Sequence, residues 1–214
     1  YILDHSDCKV FIVDRQFHNV AIDAIAQVNR EIIVIDIDDK QAGLGDIPSI
    51  GKLEYESFLQ TGDEGFEWIR PDDEWQAISL NYTSGTTGNP KGVVYHHRGS
   101  YLMSMGSITA WNMPNRLTYL YTVPMFHCNG WGYPWTLAML HARVIFIRNI
   151  VVKEIFELID KYEVTHFGGA PIVLNMIANA PADDQKALKN KVYVMTAGAP
   201  PPSSILQKME SLGF

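Results

Sequence analysis

The chain has 214 residues, of which 47% are hydrophobic and 19% charged; this ordinary globular usage excludes a disordered chain, a collagen and a supercharged tail. Seventeen Lys and Arg against 24 Asp and Glu give a formal charge of −7. Such a balance repels polyphosphate backbones, so nucleic acid is not an expected partner, and anion binding falls to a local arrangement of donors.

Cys8 and Cys128 lie far apart and match no metal-ligand spacing, which points to a reducing compartment and a cytoplasmic protein. The longest apolar runs, such as residues 143–148, are strand-length and far short of the ~20 residues that span a bilayer, so no integral membrane contact is expected. The chain opens on Tyr1 and stops at Phe214 just after a helical pattern. It reads as a fragment of a longer protein, truncated at both ends.

In chain order, short runs rich in Val, Ile, Tyr and Phe at 10–13, 32–37, 77–82, 118–123, 144–147, 165–167 and 192–196 predict buried strands. Residues 38–73 are interrupted by Gly and Pro around one short amphipathic piece at 55–60, and read as a surface excursion. A long helical pattern runs from about residue 97 to 111. The clearest helix is Val152–Tyr162, with Val152, Ile155, Phe156 and Ile159 on one face and charges on the other. Pro171 before 172–179 and Pro200–Pro202 before 203–212 suit the first turns of two more. Alternating strands and helices predict an α/β fold, layered αβα with mainly parallel sheets. The carboxylate clusters Asp36/Asp38/Asp39 and Asp72/Asp73/Glu74 read as solvated loops, since nothing nearby completes a ligand set.

The stretch from Tyr82 to Val93, Y-T-S-G-T-T-G-N-P-K-G-V, follows a predicted strand and precedes the helix starting near residue 97. Loops at the carboxyl ends of parallel strands face the ligand crevice of open α/β sheets. Gly85, Gly88 and Gly92 allow successive amides to converge into an anion nest. Thr83, Ser84, Thr86 and Thr87 add hydroxyls, and Lys91 adds a positive charge, so phosphate is the favoured ligand. The spacing is not that of a Walker A loop, because Pro90 and Gly92 stand where that pattern needs Gly and Ser or Thr.

This stretch resembles the signature loop of the adenylate-forming (AMP-binding) enzymes, the superfamily of acyl- and aryl-CoA synthetases, peptide-synthetase adenylation domains and firefly luciferase. His97, the run P-M-F-H-C-N-G-W at 124–131, T-H-F-G-G-A-P at 165–171 and T-A-G-A-P-P at 196–201 agree with further stretches of that family. The resemblance covers essentially the whole chain and implies a partial N-terminal AMP-binding domain over residues 1–214, without the small C-terminal domain. It implies that Thr83, Ser84, Gly85, Thr86, Thr87, Gly88 and Lys91 clasp the phosphates of ATP, with the Thr83 hydroxyl near Mg²⁺. Gly198, Ala199 and Pro200 match the segment beside adenine and the acyl carbonyl, and Phe126 and His127 match an aromatic-His motif at the acyl site. The spacing from His127 to Trp131 is similar to that of fatty-acyl enzymes in which the Trp gates the acyl tunnel.

The implied activity is that of an AMP-forming carboxylic acid–CoA ligase using ATP, Mg²⁺ and coenzyme A, acting on a medium- to long-chain or sulfur-containing aliphatic acid. Lys91 and His127 are the catalytic candidates, His127 more by positioning than by proton transfer. A homodimer is compatible with this reading. Cys128 next to His127 is not read as a nucleophilic pair, because neighbours on an extended segment point to opposite faces. His96 and His97 are read as polar groups at a helix start, and Trp131 and Trp135 equally as a gate and as packing. The family's acidic Mg²⁺-assisting motif, ribose-binding Asp and C-terminal Lys do not occur before Phe214, so the isolated chain is expected to have little ligase activity. Two alternatives stay open: an amino-acid-adenylating domain, and a nucleotide-binding domain without ligase activity.

Overall fold

A computed structural model describes residues 1–84 and 88–214. Helices and strands alternate through α1 (Ile2–His5), β1 (Val10–Asp14), α2 (His18–Ala26), β2 (Ile33–Ile37), β3 (Leu53–Glu54), α3 (Tyr55–Leu59), β4 (Ala77–Thr83), β5 (Lys91–His96) and α4 (His97–Ala110). They continue through β6 (Thr118–Tyr121), α5 (Cys128–Trp131), α6 (Tyr133–Met139), β7 (Arg143–Phe146), α7 (Val152–Tyr162), β8 (His166–Gly168), α8 (Pro171–Ala178), β9 (Tyr193–Met195) and α9 (Ser203–Leu212). Contacts divide the chain into two compact units, residues 1–72 with 82–93 and residues 73–81 with 94–214.

The larger unit is built on a parallel sheet in the order β7-β6-β8-β9. Alternation along β6 explains its layering. Leu120 points into a core with Ile155, Phe156 and Ile159 of α7, Leu174 and Ile177 of α8, and Ile205 and Met209 of α9. Tyr119 and Tyr121 point the other way, into a core with Tyr133 and Leu137 of α6, against which α4 also packs. Successive side chains of a strand face opposite sides, so one buried strand joins two apolar layers and gives the expected αβα arrangement. Helix α7 buries the Ile155, Phe156 and Ile159 stripe and ends on Glu163 in the left-handed region at φ 53°.

The smaller unit carries a second parallel sheet, β1-β2-β3, with Val10 opposite Ile33 and Ile35 opposite Leu53. Here the solvated reading of the first carboxylate cluster fails for one residue. Asp36 is buried; its carboxylate accepts the backbone N–H groups of Ile50 and Gly51, both at 2.9 Å, with Arg15 Nε 3.5 Å away. A buried carboxylate persists where donors satisfy its oxygens, and this one ties residues 50 and 51 of the 38–73 excursion back onto β2. Asp38 bridges Arg15 and Lys40, and Asp39 accepts the N–H of Gln41.

Strands β4 and β5 form a separate two-stranded ladder. Among the described residues the strand leading into the glycine-rich bend therefore joins neither parallel sheet, contrary to the parallel-strand setting expected for it.

Candidate functional site

The bend between β4 and β5 belongs to the smaller unit. Thr83 closes β4 and is exposed, as are Ser84, Gly88 and Lys91. Gly85, Thr86 and Thr87 lie outside the described residues. Gly88 has φ +146°, a conformation open essentially to glycine. Two contacts, one from α1 and one from the residue before it, brace the described ends of the bend. The Tyr1 hydroxyl donates to the Pro90 carbonyl at 3.1 Å, and His5 Nδ1 shares a hydrogen bond with the Tyr82 hydroxyl at 2.8 Å. Lys91 opens β5 rather than lying in a loop, because residues 91–96 form a strand before the helix begins. Among the described residues Lys91 has no carboxylate partner, so its ammonium is available to an anion.

In the larger unit, α4, α5, α6 and the end of β5 enclose a cavity of about 370 Å³, within the usual size range of small-molecule sites. Gly99, Ser100 and Met103 supply the α4 wall; Cys128, Trp131 and Trp135 supply much of the rest. His96 caps α4, its Nδ1 accepting the Gly99 N–H at 3.0 Å, and its ring lies 4.8 Å from that of Trp75. The polar helix-start role expected for His96 is what the geometry shows.

The turn carrying Trp131 is unusual. Cys128, Asn129, Gly130, Trp131 and Gly132 all have positive φ, from 44° to 73°, which makes the stretch a left-handed turn. Three of the five carry side chains, and each such residue costs roughly 1–2 kcal/mol in this conformation, so the surroundings must hold it. They do so through side chains: Asn129 Oδ1 accepts from Ser79 Oγ and from Asn81 Nδ2, both at 2.6 Å. The Tyr121 hydroxyl donates to the Gly130 carbonyl at 3.0 Å, and Thr136 Oγ1 donates to the Gly132 carbonyl at 3.1 Å. At Gly132, φ +73°, a Cβ would lie 1.7 Å from Met103 Cε.

The left-handed turn also changes the argument about Cys128. His127 is extended, at φ −90° and ψ 111°, but Cys128 is not. The Cys128 thiol shares the cavity lining with Tyr95, whose hydroxyl pKa is raised, first by burial and then by the neighbouring thiol.

The structure thus sorts the expected acyl residues. Trp131 and Trp135 line the cavity; Tyr133, which lies between them in sequence, is instead buried in the core, where burial pushes its pKa up to about 12. Phe126 is 82% exposed and His127 is also exposed, and neither lines it. Gly198, Ala199 and Pro200 form an exposed connection between β9 and α9, with Gly198 at φ +97°. Just before them, the Thr196 hydroxyl is buried with no hydrogen-bond partner among the described residues. The cavity contributions of Tyr95, Gly99, Ser100 and Met103 were missed; the small Gly99–Ser100 pair one turn before Met103 was the available signal.

Among the described residues no group of three His, Cys, Asp or Glu side chains could hold a metal ion, and no helix is long and apolar enough to cross a membrane. The exposed Thr83 hydroxyl offers one oxygen donor. That fits Mg²⁺ arriving with nucleotide, since Mg²⁺ takes most of its ligands from phosphates and water.

Comparison with known proteins agrees with this scaffold. The family model for AMP-binding enzymes matches residues 1–214, and the chain belongs to that family. It is 45% identical to the peroxisomal acetate/butyrate–CoA ligase AAE7 of Arabidopsis thaliana, covering 100% of this chain and 40% of that protein. It is 41% identical to the 2-methylpropanoate–CoA ligase CCL4 of Humulus lupulus, covering 100% and 39%. The chain therefore spans about two fifths of the length of these relatives. The crystallised N-terminal domain of FACL13 from Mycobacterium tuberculosis superimposes with a TM-score of 0.74 at 23% identity, over 99% of this chain and 50% of that one. At that identity the likeness speaks for the fold alone: an α/β N-terminal domain of the acyl-CoA synthetase type.

Proposed function

We propose that the protein containing this chain is an ATP-dependent, AMP-forming carboxylic acid–CoA ligase that activates an aliphatic acid as its acyl-adenylate before transfer to coenzyme A. The observation carrying this reading is the braced bend: exposed Thr83 and Ser84 at the end of β4, glycine at 88, and, at the start of β5, a Lys91 with no carboxylate partner among the described residues. A carboxylate attacking the α-phosphate of ATP displaces pyrophosphate, so the protein's task is to hold the departing anion and screen its charge. Lys91 and the Thr83 and Ser84 hydroxyls are the described groups assigned to donate to that anion. Mg²⁺ bound with the nucleotide supplies further charge neutralisation, and the Thr83 hydroxyl is the residue proposed to reach it.

The apolar cavity lined by Trp131 and Trp135 is assigned to the acyl chain. Its largely apolar walls suit a hydrocarbon chain. Phe126 and His127 are assigned to the approach of the acid, and Gly198, Ala199 and Pro200 to the adenylate. The names of the two relatives and the modest cavity volume favour a short aliphatic acid over the medium- to long-chain or sulfur-containing acid suggested by the Trp131 spacing. None of the cavity's lining residues is acidic, which disfavours an amino-acid substrate whose ammonium needs a carboxylate partner. The cytoplasm suits the two free thiols, although one relative's name places it in the peroxisome.

The test is AMP release by the full-length protein across acetate, butyrate, 2-methylpropanoate, octanoate, palmitate and a methylthio acid. Turnover led by the short acids supports the reading; a best substrate among the long or sulfur-containing acids restores the earlier expectation. ATP binding without AMP release for any acid would favour a nucleotide-binding domain instead.

A further inference from the structure

The left-handed turn at Cys128–Gly132 is held from two sides, and one hold leads to β4. Asn129 Oδ1 is the shared acceptor for Ser79 Oγ and Asn81 Nδ2. Asn129 itself does not line the cavity, but Cys128, Trp131 and Gly132 around it do. A residue that tolerates left-handed backbone and also spends its side-chain oxygen on two donors of another element is suited to fix a turn rather than to bind ligand. Without that acceptor the turn keeps the Tyr121 and Thr136 bonds at Gly130 and Gly132 but loses its hold on β4, and the unfavourable φ values on Cys128 and Trp131 favour rearrangement of the wall.

We propose that Asn129 is a positioning residue: by accepting both hydrogen bonds from β4 it holds the left-handed turn that sets Trp131 in the cavity wall, and thereby limits the length of acyl chain the cavity admits. This rests on the ligase reading above and extends it to a specificity determinant outside the cavity.

The experiment compares the full-length protein with Asn129→Gly and, from the strand side, Asn81→Ala. Glycine keeps the left-handed backbone accessible while removing the anchor, so the variant separates positioning from backbone strain. For the Asn129→Gly protein the ratio of kcat/KM for octanoate over butyrate is expected to rise about tenfold, in the range that pocket-shape changes command, with KM for ATP held. Asn81→Ala, which leaves the Ser79 bond in place, is expected to shift the ratio the same way by less. An unchanged ratio in both variants, or KM values for acid and ATP rising together, would overturn the proposal. If the wild-type protein activates no aliphatic acid, the ligase reading fails, and positioning is then judged by the rate at which iodoacetamide alkylates Cys128. A severalfold change of that rate in Asn129→Gly supports the positioning role, and an identical rate overturns it.

Discussion

Lys91 opens β5, and most of what is proposed for the bend depends on its charge. Charge-assisted hydrogen bonds contribute about 1.5–3 kcal/mol each, so Lys91→Ala in the full-length protein is expected to slow adenylate formation by roughly tenfold to a hundredfold. Acid-dependent pyrophosphate exchange measures this directly. Gly132 is the complementary case, a position ruled by backbone. Alanine there must adopt φ +73° and place its Cβ against Met103 Cε. The Met103 chain can move, but the backbone cost remains, so Gly132→Ala is expected to destabilise the protein by roughly 1–3 kcal/mol in urea unfolding. Asp36 teaches a related lesson: sequence grouped it with neighbouring aspartates as solvated, because nothing in a sequence shows that two amides at 50 and 51 return to meet it.

At the scale of elements, legibility followed periodicity. Helices α7 and α9 begin and end where the apolar stripes and the prolines indicate, and β6 reads as buried on both faces. Strand β5 was missed because Lys91 and Gly92 look like the tail of a loop, while the pairing with β4 that makes it a strand is a tertiary fact. Helix α6 and the turn before it were missed for a similar reason: Gly130, Gly132 and Pro134 interrupt any helical pattern, and left-handed backbone at Cys128 and Trp131 has no local signature. The same sheet offers a pH test. His166 on β8 is buried between Trp111 and Tyr193, with Nδ1 2.8 Å from Thr165 Oγ1. Burial lowers its pKa, so the unfolded chain binds the proton more readily than the folded one. Its contribution to stability is full above the unfolded value of about 6.5 and is lost as pH falls through the lower folded value. Urea midpoints should therefore fall on acidification below pH ~6.5, and His166→Phe should flatten that part of the curve; an equal slope in the variant would assign the pH dependence to other groups.

At the scale of the molecule, one α/β chain carries two differently built features: a hydroxyl- and glycine-rich bend braced by α1 in the smaller unit, and an apolar cavity walled by a left-handed turn in the larger. The bend stands out in the sequence because its chemistry is local there, four hydroxyls, three glycines and one lysine within eleven positions. The cavity was only partly legible, since Trp131 and Trp135 announce themselves but α4's Gly99, Ser100 and Met103 become walls only on packing. The chain spans about two fifths of its relatives, and residues 1–214 alone are expected to show little pyrophosphate exchange; robust turnover from this segment would mean that the essential catalytic groups lie within it. The most direct test of the whole account is calorimetric titration of full-length protein with ATP and Mg²⁺, wild type against Lys91→Ala. Weakening of nucleotide affinity by about tenfold or more is the expected result, and an affinity unaltered by the substitution would contradict the assignment of this bend to the nucleotide's phosphates.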